Sequence, residues 1–182
     1  MISLYRRRLV GAAFALPFTS GAWAQTCGSA TPRETEGPFF KTDSPQRITL
    51  IEPGTRAPKL VVSGQVLSAD CKPVANALLD FWHADEEGDY DNRGYRYRGH
   101  QFTDADGRWR LETILPAVYP GRTRHIHVKV QPAGGRILTT QLYFPGEPRN
   151  NGDSLFNPAL LLAVQDAPDG KAATFTFVPG VA

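Results

Sequence analysis

The sequence predicts an all-β protein, a β-sandwich of short, mostly antiparallel strands with an extended N-terminal arm. Three observations lead there. From residue 60 onward, short runs of β-branched and aromatic residues alternate with turn signals at the spacing of sandwiches and barrels. The 182 residues include 17 Gly and 15 Pro, a density of chain breakers that keeps elements short and argues against long helices or coiled coils. Residues 154–164 alone have helical potential, and Pro158 interrupts them.

The strand candidates are residues 60–67, 77–83, 99–103, 108–114, 124–131, 136–144 and 173–178. Turn chemistry separates them at Asp70-Cys71-Lys72-Pro73, Asp104-Ala105-Asp106-Gly107, Ala133-Gly134-Gly135 and Pro168-Asp169-Gly170. Residues 25–58 are rich in Thr, Pro, Gly and charge with little periodicity, and are read as the arm. Residues 59–182 are read as one sandwich body, since no repeat, low-complexity tract or linker divides them.

Residues 1–24 read as a secretory signal. Arg6, Arg7 and Arg8 precede an apolar stretch, and Ala22-Trp23-Ala24 offers a cleavage site of the A-x-A kind. The apolar stretch is short for a membrane span and contains Pro17, so no stable span is expected once the signal is removed. The paired arginines also resemble a twin-arginine signal, without its usual tail. Export to the periplasm or beyond is therefore expected. The net charge of +2 comes from this segment: the remainder carries 17 basic and 18 acidic residues, which gives no electrostatic reason to expect nucleic-acid binding. The two cysteines, Cys27 and Cys71, are expected to form a disulfide that staples the arm to the body.

The stretch densest in chemistry is Tyr119-Pro120-Gly121-Arg122-Thr123-Arg124-His125-Ile126-His127. In a strand, residues two apart share a face, so His125 and His127 can converge on a metal while Ile126 faces away. The cysteines are too few for a structural zinc site, and no H-E-x-x-H occurs. The run from Asp104 begins like a calcium loop but has Leu115 where that loop needs Glu. Oxygen donors for the site could come from Tyr119 and Tyr90. Phenolates suit a strongly Lewis-acidic trivalent iron. His83 and Asp85 also share a strand face, and spacing alone leaves them open as ligands.

Several spaced motifs then carry a resemblance. Val62-Ser63-Gly64-Gln65-Val66-Leu67, Cys71-Lys72-Pro73-Val74-Ala75-Asn76-Ala77, Leu79-Asp80-Phe81-Trp82-His83-Ala84 and Gly88-Asp89-Tyr90 occur in the order seen in intradiol ring-cleavage dioxygenases. Arg98-Gly99-His100-Gln101, Thr103-Asp104, Tyr119-Pro120, Arg122, His125-Ile126-His127 and Leu138-Thr139-Thr140-Gln141-Leu142-Tyr143-Phe144 continue it. In the arm, Thr35-Glu36-Gly37-Pro38-Phe39-Phe40 resembles the family's Gly-Pro segment. The resemblance covers nearly all of residues 31–178. Two departures stand out: Cys71 replaces the usual Gly or Ser, and the segment between Tyr119 and His125 is short.

The resemblance implies a non-haem Fe(III) site with Tyr90, Tyr119, His125 and His127 as ligands. It implies that Tyr119 is the displaceable ligand and base, that Arg122 offsets charge on bound substrate, and that Gln141 stands beside the active site. Gly37 and Pro38 are expected at the pocket entrance, while His83, Asp85 and His100 gain no ligand role. The implied reaction takes a catechol-type aromatic and O2 and opens the ring between its two hydroxylated carbons, giving a cis,cis-muconate-type diacid. Two other readings are a non-catalytic β-sandwich binding module and a metal-binding protein without dioxygenase activity.

Overall fold

In β1 (Lys59–Val66), Leu60, Val62 and Val66 are buried, and between them the strand keeps Ser63 and Gln65 on its other side. The other strands are β2 (Leu78–Trp82), β3 (Arg98–Phe102), β4 (Arg108–Ile114), β5 (His125–Gln131), β6 (Leu138–Tyr143), β7 (Ala163–Ala167) and β8 (Gly170–Phe177), and a similar alternation recurs in β4. The structure is a computed structural model and describes residues 27–180. The strands form two four-stranded sheets, ordered β4-β1-β8-β7 and β3-β2-β5-β6. Neighbours pair antiparallel except β1 and β8, which run parallel. Leu60, Val62, Leu111 and Phe177 of the first sheet meet Leu79, Phe81, Ile126, Val128 and Leu142 of the second. Full burial of such side chains stabilises by about 1.5–3 kcal/mol each.

The arm is extended, as expected, and it wraps over the second sheet from one side of the sandwich to the other. It starts at the Cys27–Cys71 disulfide, beside a backbone bond from Cys27 N–H to the Ala69 carbonyl. Next it follows one side of the sandwich, where Thr31 N–H donates to Val178 and Glu34 N–H to Thr139. It then crosses the outer face of the second sheet. Finally it bridges Gln46 to His100 on β3 and Thr49 to Glu112 on β4, covering an edge strand of each sheet. Ser44 anchors the crossing by donating to Asp80 at 2.8 Å. The second sheet is thereby buried on both faces, and polar side chains on its outer face lie under the arm.

The helical expectation for residues 154–164 is corrected. A short 3-10 helix, Pro158–Leu160, is capped by Asn157, and the chain then enters β7. β7 is a half-exposed edge strand that pairs with β8 across a turn at Pro168 and Asp169. Its mixed Ala, Gln and Asp composition carries no period-2 signal. Among the described residues no helix is long and apolar enough to cross a membrane. The signal-peptide expectation for residues 1–24 lies outside the described residues.

Candidate metal centre

On β5, Ile126, Val128 and Val130 face the core, which turns His125 and His127 to the arm side. Register places Trp82 and Gln141 on either side of His127, and Tyr143 beside His125. The Thr123 carbonyl lies 2.6 Å from His125 Nδ1. A carbonyl only accepts, so Nδ1 carries the proton and Nε2 keeps its lone pair. That Nε2 lies 3.1 Å from His127 Nε2 and 3.1 Å from the Tyr90 hydroxyl.

Tyr90 arrives from the turn after β2. Asp85 shapes this turn by accepting from the Glu87 and Asp89 backbone N–H groups. Gly88 adopts φ +93°, and a Cβ there would sit 2.7 Å from the Val118 carbonyl oxygen. Only glycine allows this approach, and the approach brings the Tyr90 and Tyr119 segments together. The two tyrosine rings meet edge to face with centroids 5.7 Å apart.

The donor set fits a metal. His125 Nε2 has one lone pair and two polar neighbours, so ordinary hydrogen bonding satisfies only one of them. A cation among these atoms would accept an electron pair from each. Burial holds His125 at a pKa of about 4 and His127 well below its ordinary value, so both imidazoles are neutral near pH 7. Burial raises the Tyr90 phenol pKa, a cost that a highly charged cation would offset.

A polar network supports the site from behind. Arg122 Nε donates to Asp153 at 2.9 Å, and Arg122 Nη2 donates to Gln141 Oε1 at 2.8 Å. Gln141 Nε2 in turn donates to the Thr35 carbonyl at 2.9 Å, which ties the network to the arm. Asp153 also accepts from the backbone N–H groups of Thr123 and Leu155. Burial pushes the Asp153 pKa up, but these backbone donors and the Arg122 guanidinium bring it below the usual carboxylate value.

Thr35, Gly37, Pro38 and Phe39 of the arm roof a cavity of about 280 Å³, whose lining also includes Tyr90, Tyr119, Arg122, His125, His127 and Leu155. That is near the low end for small-molecule pockets, ~300 Å³. Phe39 stacks on Tyr90 with centroids 4.4 Å apart. Gly37 has φ +70°, and a Cβ there would lie 3.5 Å from His127 Cε1, so glycine keeps the roof close to the histidine without filling the cavity.

A family model described as "Dioxygenase" matches residues 35–173. Catechol 1,2-dioxygenase of Acinetobacter baylyi is 30% identical over 154 residues, 69% of this chain and 50% of that protein. The beta chain of protocatechuate 3,4-dioxygenase from Burkholderia cepacia is 35% identical over 116 residues, 54% of this chain and 49% of that one. The chain belongs to the intradiol ring-cleavage dioxygenase family. It spans about half the length of these two relatives. Among solved structures, the dioxygenase domain of a dioxygenase–carbohydrate-binding fusion from Streptomyces sp. SirexAA-E is 56% identical. It has a TM-score of 0.83 over 85% of this chain and 100% of that chain. The 3-chlorocatechol 1,2-dioxygenase of Rhodococcus opacus 1CP is 27% identical, with a TM-score of 0.78 over 84% of this chain and 73% of that one.

In this intradiol dioxygenase fold, Tyr90, Tyr119, Arg122, His125 and His127 all line one cavity. Gln141 is fully buried beneath Arg122 and is absent from the lining. His83 lies apart from the lining, with Nδ1 at 2.7 Å from the Ala84 carbonyl and Nε2 at 2.6 Å from the Thr113 hydroxyl. The carboxylates of Asp85, Glu86 and Glu87 lie within 4.8 Å of one another, but Asp85 and Glu86 both pair with Arg96. His100 bonds to Ser44 and helps anchor the arm. Sequence reasoning missed Asp153 and Trp82. Asp153 follows Asn150-Asn151-Gly152, a sequence that reads as an ordinary turn, and Trp82 reads as a core residue.

Proposed function

We propose that this chain is a non-haem Fe(III) dioxygenase that opens a catechol-type aromatic ring between its two hydroxylated carbons with O2, giving a cis,cis-muconate-type diacid. One observation carries the reading: the Tyr90 hydroxyl and the Nε2 atoms of His125 and His127 converge at 3.1 Å spacings in a cavity that Tyr119 also lines. Tyr90, Tyr119, His125 and His127 would hold the iron. When bound, the ion supplies Lewis-acid activation and orientation of the catechol and the redox partner for reaction with O2.

The chain's own residues do the rest. Tyr119, the less buried of the two tyrosines, would as a phenolate accept a proton from a substrate hydroxyl at its Oη and become the neutral phenol. Arg122 lines the cavity and offsets negative charge on the substrate, while Gln141 and Asp153 hold the guanidinium in place. The roof from Thr35 to Phe39 excludes water from one side of the ring and, with Leu155, fixes its plane. The Cys27–Cys71 disulfide supports the reading that the protein works outside the cytoplasm.

The test is product analysis after iron loading, with catechol and O2. The expected product is a colourless diacid formed with consumption of one O2 per ring. A yellow semialdehyde from cleavage beside the diol, or no O2 uptake by fully iron-loaded protein, would contradict the proposal.

A further inference from the structure

We infer that Arg98 is a positioning residue that couples the roof of the cavity to the proposed ligand Tyr90. The inference rests on the ferric dioxygenase reading and adds a residue which that reading does not use.

Four residues form one cross-strand row: Arg98 on β3, Trp82 on β2, His127 on β5 and Gln141 on β6. Direct partners in a sheet share a face, so the row runs beneath the arm from one edge strand of the second sheet to the other. The two inner members are the stacked indole and imidazole. The two outer members hold the ends of the roof. Gln141 Nε2 donates to the Thr35 carbonyl at 2.9 Å, and Arg98 Nη1 donates to the Phe39 carbonyl at 2.5 Å. The roof is thereby hung at both ends from buried side chains.

Arg98 has a second hold. Its Nε donates at 3.1 Å to the carbonyl of Asp91, the residue after Tyr90. Phe39, at the other hold, stacks on the Tyr90 ring. One guanidinium therefore fixes the backbone beside Tyr90 and the backbone of the ring that covers it. The planar fork keeps these two carbonyls at a set separation. The Asp91 carboxylate stiffens the same turn by accepting from the backbone N–H groups of Arg93, Gly94 and Arg96.

Stability does not account for the charge. Arg98 is 2% exposed, and its Nη2 is buried with no hydrogen-bond partner among the described residues. A buried charge so incompletely partnered is a costlier occupant than an apolar side chain of similar volume. What the guanidinium supplies is a geometric link: a displaced roof moves Phe39, and through the stack and the shared hold it moves Tyr90.

The test uses Arg98→Lys and Arg98→Met, read by hydrogen exchange of residues 35–41 and by visible absorption. Lysine keeps the charge but lacks the fork that spans both carbonyls, and methionine keeps only bulk. In iron-free protein both should speed exchange across the roof about tenfold or more, the scale of one lost charge-assisted bond. Spectra are taken in a Tyr119→Phe background, where Tyr90 is the phenolate left to the ferric ion. Its charge-transfer band should move in both Arg98 variants, whereas loss of a merely structural residue would lower iron content and leave the band in place. An unmoved band in folded, iron-loaded Arg98→Lys would overturn the inference, whether or not exchange speeds up. Should neither variant fold, the wild type decides. Iron loading should slow exchange across residues 35–41, none of which is a proposed ligand, and equal exchange with and without iron would overturn the coupling. Iron-loaded wild type with no phenolate band at all would instead overturn the ferric reading on which the inference rests.

Discussion

The His127 ring lies flat against Trp82, with centroids 4.8 Å apart and planes within 5°. The two residues are cross-strand partners on β5 and β2. His127 Nδ1 is buried and has no hydrogen-bond partner among the described residues, unlike His125 Nδ1, which the Thr123 carbonyl orients. Metal-binding histidines are usually aimed by such a second bond. Here the indole face takes that part, and Phe40 backs it with a centroid 4.9 Å away. Trp82→Leu keeps the position apolar but removes the flat support. Its iron affinity, measured by competition with a chelator, should fall about tenfold or more. Unchanged affinity would show that the stack does not orient His127.

Much of this arrangement was readable from residue order. The i, i+2 spacing of His125 and His127 places both on one face and turns Ile126 to the other. The parallel pairing of β1 with β8 was not readable, because it joins segments more than a hundred residues apart and leaves no local pattern. β7 was missed for the opposite reason, since an exposed edge strand needs no apolar alternation. The arm's extended character followed from its composition, but its path over the site depends on single backbone bonds such as Glu34 N–H to Thr139. Asp153 was invisible because its role depends on Arg122, 31 residues earlier in the chain.

The disulfide should matter for stability and for the roof of the cavity. Cys27 and Cys71 are separated by 44 positions, and the chain-entropy view gives about 4 kcal/mol for closing such a loop. Cys27→Ser with Cys71→Ser should lower the urea midpoint accordingly. It should also speed proteolysis ahead of Thr31, where backbone bonding to Val178 begins. Equal midpoints with and without the disulfide would contradict the prediction.

Acid should destabilise the iron-free protein before its carboxylates titrate. Burial lowers the pKa of His83 and His125 to about 4 and that of His127 well below its ordinary value of 6.5. As pH falls through 6.5, the unfolded chain takes up protons that the folded chain refuses, so stability falls with pH. The loss continues down to the folded values near 4, at no more than about 1.4 kcal/mol per pH unit for each histidine. The urea midpoint of iron-free protein should therefore be lower at pH 5 than at pH 7. A midpoint that does not change over this range would mean that the histidines are not held neutral by the fold.

The most direct test of the four-ligand site is the visible spectrum and catechol turnover of iron-loaded wild type beside Tyr119→Phe. Charge transfer from phenolate to ferric ion should colour the wild type red to brown. Tyr119→Phe removes one phenolate at nearly constant ring volume and leaves Tyr90, His125 and His127 in place. Its colour should weaken or shift without vanishing, while turnover falls about a hundredfold or more for want of the substrate-side base. An unchanged spectrum together with normal turnover by iron-loaded Tyr119→Phe would remove Tyr119 from the site and contradict the account.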